Sequence, residues 1–382
     1  MKATLNENEI RKFFPITKKW NYLNHAVVSP LPLPVIQAMN KFNNERKMNG
    51  SIGYRDWFEQ IEESKEEMSL LLNCQGKNLA FFQNTSHALN TVSNIIPFKK
   101  GDEIITTDLE FPSNTFPWLK LQDKGMKVRW LKSKNGSIDI ESIKNGITEK
   151  TKVLAISHVC YYNGFRTDLK AVSEIAKDNN TILVVDATQS LGAMEINVKQ
   201  IEVDFLAANS YKWLLGPFGT TLLYVKDPID RFIPKDIGWY SVKDIWSRQI
   251  DSYDLVTDAR RFEMGHPDFA GILGLQSSIN LLLKFGLTAV EDKILEFTRK
   301  IRRFLSDYKK VQLISPEERI SGITLFTIKD KSSEHVVNSL KDKGIIVFSQ
   351  KWRDGVGVKI SPHFYNSTEE IEAFFNEISK FL

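Results

Sequence analysis

The chain has 382 residues, 42% hydrophobic and 26% charged, with 51 basic and 47 acidic side chains giving a formal net charge of +4. That length exceeds a usual single core and predicts two domains of an ordinary soluble globular protein. The basic excess is too small and too dispersed for nucleic-acid binding. No apolar run is long enough to span a bilayer, and the segment MKATLNENEIRKFF has no apolar core of signal-peptide length. Cys74 and Cys160 offer neither a disulfide framework nor metal-ligand spacing, so a reducing cytoplasm is the expected location.

In chain order, residues 5–14 read as a short amphipathic helix ended by Pro15. Tyr22 to Ala26 follows, then a proline-punctuated loop, Pro30 to Pro34, and a helix from near Val35. A helical stretch from Phe58 to Leu72 precedes a strand, Leu79 to Phe82, and Asn84-Thr85-Ser86 then opens a helix to about Ile96. Hydroxyl residues at a helix start serve as N-caps, and the same free N–H groups make an anion site. Strands are expected at Glu103–Thr107, Lys127–Leu131 and Val153–His158, with helices from Asp139 to about Asn145 and from Asp168 to about Lys177.

The stretch from Thr181 to Val225 carries the chemistry. Ile182 to Val185 has the length and β-branched content of a strand buried on both faces, and it ends on Asp186. Phe205 to Ala208 leads through Asn209, Ser210 and Tyr211 to Lys212, and Gly216-Pro217-Phe218-Gly219 turns the chain into a third strand, Leu222 to Val225. Strands alternating with helices from 79 to 225 predict a mostly parallel sheet, whose carboxyl ends converge on one crevice. Past Pro228 the pattern loosens until Arg261-Phe262-Glu263-Met264-Gly265-His266-Pro267. A long helical run is expected from Ile272 to about Tyr308, then strands near 311–315, 322–328, 345–349 and 356–361 with helices at 332–343 and 368–381, the last opened by a Ser367–Glu370 capping box.

The pattern Asp186-Ala187-x-Gln189, followed 26 positions after Asp186 by Lys212 in Ser-Tyr-Lys-Trp-Leu-Leu-Gly-Pro (Ser210 to Pro217), resembles the class V aminotransferase family of pyridoxal phosphate (PLP) enzymes, nearest its isopenicillin N epimerase and cysteine desulfurase branch. The resemblance implies an α/β chain of PLP-dependent transferase fold type I. A mostly parallel central sheet would occupy a large PLP-binding domain, 16–260, beside a smaller α+β domain of 1–15 and 261–382. It implies PLP as cofactor and a homodimer with active sites at the subunit interface. It makes Lys212 the Schiff-base lysine and the base for the Cα proton, Asp186 the partner of the pyridine nitrogen and Gln189 a contact to the ring oxygen, with Tyr161 beside it. Phe111, just after a Glu, would stack on the ring where desulfurases carry His. Thr85, Ser86, Asn209, Tyr211 and the partner's His266 would hold the phosphate, and Asn24 and His25 would edge the substrate pocket.

The same resemblance leaves the reaction open. The leading expectation is an aminotransferase or isopenicillin N epimerase-like enzyme acting on a free amino acid. A cysteine or selenocysteine β-lyase without a persulfide relay is the alternative, because Gly344 to Val358 holds no Cys. A PLP-binding protein without turnover is the third reading. Relatives bind the substrate α-carboxylate with an Arg where this chain has Lys359, so the contact falls to Lys359, to Arg353 on the preceding loop, or to neither if the substrate is an amine. The expectation is that the substrate is an amino acid and that Lys359 and Arg353 share its carboxylate.

Overall fold

The computed structural model describes residues 7–382. The chain opens with α1 (Glu7–Arg11), so the first two positions of the helix expected over 5–14 lie outside the described residues. Then come β1 (Asn21–Tyr22), α2 (Leu33–Asn49), α3 (Tyr54–Ser69), β2 (Leu79–Phe82), α4 (Thr85–Ile95), β3 (Glu103–Thr107), α5 (Phe116–Lys120), β4 (Lys127–Leu131), α6 (Ile140–Gly146), β5 (Thr151–Ser157), α7 (Leu169–Asp178), β6 (Ile182–Asp186), β7 (Phe205–Asn209) and β8 (Thr221–Val225). The last third runs α8 (Phe269–Phe285), α9 (Leu287–Ser306), β9 (Val311–Leu313), β10 (Thr324–Ile328), α10 (Ser333–Asp342), β11 (Ile345–Ile346), β12 (Phe348–Trp352), β13 (Gly355–Ile360) and α11 (Thr368–Ile378).

Seven strands form the central sheet in the order β2-β8-β7-β6-β5-β3-β4, all parallel except β8, which runs antiparallel to both neighbours. Alternate residues of these strands feed two cores, as a pleat of period two requires. Leu154, Leu183 and Leu206 pack on one face, while Val153, Val184 and Phe205 pack on the other. The family architecture expected from the motifs, α/β with a mostly parallel sheet, is what the chain adopts.

A four-stranded antiparallel sheet, β12-β13-β10-β9, has its own core. Phe326, Val358 and Ile360 meet Phe297 and Ile301 of α9, Leu340 of α10 and Phe374 of α11 there. The Ser367–Glu370 capping box is present at the start of α11.

Two expectations need correction. The run from Ile272 to Tyr308 is two helices, α8 and α9, meeting at 81° around Gly286. Gly286 adopts φ +84° and its N–H caps Leu282, while the apolar periodicity runs on undisturbed through the break. The helix expected from Phe58 starts earlier, at Tyr54, because Tyr54, Trp57 and Phe58 already belong to one apolar face packed on Phe269 and Trp246.

Candidate active site

The parallel sheet delivers its carboxyl ends side by side. Ser157 of β5 is in register with Asp186 of β6, and Asp186 with Ala207 of β7. Two residues beyond Asn209, at the end of β7, the chain enters a tight turn that carries Lys212. Gly216 N–H donates to Ser210 O at 2.8 Å and Leu215 N–H to Lys212 O at 2.9 Å. Leu215 stands in the left-handed region at φ +56°, a conformation disfavoured for a side chain with a Cβ, and it is fully buried there.

One cavity gathers nine of the residues singled out in the sequence: Thr85, Ser86, Phe111, Tyr161, Asp186, Gln189, Asn209, Tyr211 and Lys212. Burial lowers the Lys212 amine to about 8, against the pull of Asp186. Burial raises the Asp186 carboxyl, and the hydrogen bond from Thr188 N–H at 2.9 Å and the charge of Lys212 oppose that shift. Each group therefore restrains the other's change of charge.

At the opposite end, Asn84 caps α4 by accepting from His87 N–H at 2.8 Å, leaving Thr85 and Ser86 in the first turn. Their hydroxyls meet Thr188 Oγ1 at 3.2 Å and Ser113 Oγ at 2.7 Å. Four hydroxyls beside a helix N-terminus form a cradle for a small anion. Oδ1 of Asn209 is buried without a hydrogen-bond partner, a polar atom of the cavity that the chain itself does not satisfy.

Phe111 presents its ring to the cavity, 5.9 Å from Nζ of Lys212, with the Tyr161 ring edge-on at 5.1 Å. Its neighbour Glu110 anchors that position. The Glu110 carboxylate accepts from Ser157 N–H and Oγ, Thr107 Oγ1 and Asn114 Nδ2, and burial pushes it up to about 7. Sequence reasoning missed Glu110, Ser157 and Thr188 as parts of the site. The register of parallel strands was the signal for Ser157, since it ends the strand next to Asp186.

Gln189 lines the cavity, but its amide is already committed. Nε2 donates to Ala26 O at 2.9 Å and Oε1 accepts from Trp213 Nε1 at 2.8 Å, leaving one N–H for a ligand.

Several expected residues lie elsewhere. His25 is a core residue: Nδ1 bonds Ser361 O at 2.8 Å and Nε2 bonds the Tyr365 hydroxyl at 2.7 Å, so both ring nitrogens are used inside the protein. Asn24 is also buried outside the cavity lining, with Oδ1 lacking a partner. His266 stands apart from this cavity, hydrogen-bonded to the Tyr54 hydroxyl and packed on Trp239. The segment leading to it is pinned by Glu263, whose carboxylate meets the buried Lys65 at 3.0 Å.

Arg353 is exposed at the tip of the β12–β13 hairpin. From Gly355 at that tip to Lys359 is four residues, about 13 Å at the usual strand rise. Lys359 lies at the inner end of β13, buried, though it is not among the residues lining the cavity. Its Nζ donates to Gln350 Oε1 at 2.6 Å and Tyr161 O at 3.3 Å, and burial, then the charge of Lys212, lowers it to about 7.

Neither thiol is poised to react. Cys160 is buried with Sγ directed at Leu109 O, and burial pushes both Cys160 and Cys74 up to about 12.

The donor set fits PLP: a buried amine, a buried carboxylate, an aromatic ring lining the same cavity and an anion cradle at a helix start. A "Probable cysteine desulfurase" of Methanothermobacter thermautotrophicus is 29% identical, over 96% of this chain and 96% of its own length. An "Uncharacterized aminotransferase" of Bacillus subtilis is 27% identical over 97% of both chains. Among solved structures, the apo cysteine desulfurase of Thermococcus onnurineus superposes with a TM-score of 0.91 at 29% identity, covering 100% of this chain and 99% of that one. The sequence profile described as aminotransferase class-V matches residues 21–374, and the chain accordingly belongs to the class V aminotransferase family of PLP-dependent enzymes.

Proposed function

We propose that this enzyme acts on a free amino acid by removing the proton from Cα, with Lys359 taking the substrate carboxylate. The observation that carries the reading is the convergence of Lys212 and Asp186 in one cavity bounded by the start of α4. Lys212 would hold the cofactor, with Asp186 available to its pyridine nitrogen, Phe111 to its ring, and Thr85, Ser86, Asn209 and Tyr211 to its phosphate. The remaining N–H of Gln189 is left for the ring oxygen.

When bound, PLP supplies an electron sink for the pair released at Cα. Lys212 moves the proton. An amine lowered to about 8 has a usable neutral fraction near pH 7, as a general base requires. Asp186 supplies the buried carboxylate, whose charged form is favoured against burial by the Thr188 N–H and by Lys212. Phe111 has no proton to exchange, so acid–base work falls to the Lys212 side.

Two features support a homodimer. His266 lies outside the cavity of its own chain, among exposed apolar side chains that include Trp239, Trp246 and Met264. A second copy covering that surface would bring His266 to the other cavity.

With Phe111 on the ring and no cysteine in 344–358, amino-group transfer or epimerisation is the outcome the residues favour. The names of the relatives favour a second reading, elimination from a sulfur amino acid. There Lys212 takes the Cα proton, the Cβ–S bond breaks, and sulfur leaves as hydrosulfide with the bond pair, without a protein thiol. A panel of amino acids incubated with the holoenzyme, assayed together for keto acid, D-isomer and sulfide, decides between them. No product from any member would leave a PLP-binding protein without turnover.

A further inference from the structure

Gln350 stands behind Lys359. Phe348 is the register partner of Lys359 on β12, and Gln350, two residues on, points to the same face as its diagonal neighbour. The orientation of its amide is set by a second bond. Nε2 donates to Lys351 O at 2.6 Å, so Oε1 is the end that accepts from Nζ of Lys359 at 2.6 Å. The other acceptor on Nζ is the Tyr161 carbonyl at 3.3 Å, and the Phe348 ring covers the amine at 5.3 Å.

All of these contacts are neutral. The titratable groups that act on Nζ are Lys212, a like charge, and the Cys160 thiol, while Leu325 is its apolar partner on β10. Among the described residues no carboxylate pairs with it, although Lys359 is only 2% exposed. An ammonium has three donors, and two are used here. A buried ammonium lacking a counter-ion is costly, which lowers Lys359 toward its neutral form, and an arriving anion would restore and pair the charge.

Glutamine is one atom away from ending that arrangement. A glutamate at 350 would keep the shape and neutralise Lys359 from within. On the reading that Lys359 takes the substrate carboxylate, we infer that Gln350 is a specificity-determining residue: it positions Nζ of Lys359 with a neutral acceptor and so reserves its charge for the α-carboxylate of an amino acid.

The test uses the holoenzyme titrated calorimetrically with L-alanine, L-serine and L-cysteine, each beside its decarboxylated amine. The readout is the ratio of Kd for amine over amino acid in the best-bound pair. Gln350→Glu is expected to lower that ratio about tenfold or more, the loss of one charge-assisted contact. Gln350→Met, uncharged but unable to accept, is expected to lower it less and serves as the control for packing. A Gln350→Glu ratio within about twofold of the wild type overturns the inference. Lys359→Met separates the two levels. If it too keeps the wild-type ratio, Lys359 does not read the carboxylate at all. If it loses the ratio while Gln350→Glu keeps it, only the role of Gln350 falls.

Discussion

The indole Nε1 of Trp213 donates to Oε1 of Gln189 at 2.8 Å, so the residue next to Lys212 orients a side chain of the Asp186 motif. The same tryptophan accepts at its carbonyl from Nε2 of His363, 3.1 Å away. Gln189 in turn donates to Ala26, whose N–H donates to Ser361 Oγ. The lysine turn, the aspartate motif, the 24–26 segment and the start of 361–366 are thus tied behind the cavity by bonds that leave Lys212 itself free to react.

Replacing Lys212 with Ala is expected to abolish covalent retention of PLP and to lower turnover by about 10³-fold or more, the scale of losing both a nucleophile and a general base. Borohydride treatment followed by intact mass measures the first effect. Since Lys212 sits beside a cavity rather than in the packed core, the variant should keep its circular dichroism spectrum. Trapped PLP in the variant would contradict the assignment.

Lys359→Ala is expected to raise KM for an amino acid by about 10- to 100-fold, equivalent to a charge-assisted hydrogen bond of roughly 1.5–3 kcal/mol. Arg353→Ala, at the exposed hairpin tip, is expected to change KM by less than about twofold. Steady-state kinetics on both variants checks the pair. Equal effects would place the two charges at one carboxylate after all.

Neither cysteine is expected to carry sulfur. The Cys74,Cys160→Ser double variant should retain turnover, and native-state alkylation of the wild type should be slow at pH 7, because thiols pushed up to about 12 hold little thiolate. Mass spectrometry after incubation with L-cysteine is expected to show no protein persulfide. A mass gain of one sulfur on Cys160 would overturn this.

Acid is expected to destabilise the fold through three buried histidines. Burial holds His363 down to about 4 and His158 to about 3, and burial with the nearby His363 holds His25 well below its ordinary value. An unfolded histidine titrates near 6.5, so below that pH the unfolded chain binds more protons than the native one. Their contribution is complete above pH 6.5 and is lost as pH falls toward 4 and below. Urea melts from pH 7 to 4.5 should show it, and His363→Asn should remove about 1.4 kcal/mol per pH unit from the slope near pH 5.

Leu79–Phe82 was legible because a fully buried strand is a short apolar run with clear ends, and the partly exposed edge strand Lys127–Leu131 and its neighbour Glu103–Thr107 also fall where the sequence places them. Asp186 and Lys212 were legible together because parallel strands bring their carboxyl ends to one place. His25 was not, since a polar ring satisfied by distant residues leaves no local signature. Gln350 depends on hairpin register, which side-chain pattern does not disclose. The sequence shows 351–355 only as a loop, and the structure makes Arg353-Asp354 a tight turn at the exposed hairpin tip. Gly286 did mark the break between α8 and α9, yet the continuous apolar stripe on both sides outweighed it.

The pairing of β1 with β11 joins segments 324 residues apart along the chain, and the bonds of His25 to Ser361 and Tyr365 join residues 336 and 340 apart. At about 5–20 residues per second, a ribosome needs roughly 20–70 s to make that span. During synthesis the 21–26 segment therefore waits for residues 345–365 before it finds its partners. Until those residues emerge, the wall behind Lys212 lacks the bonds that tie it to the rest of the pocket.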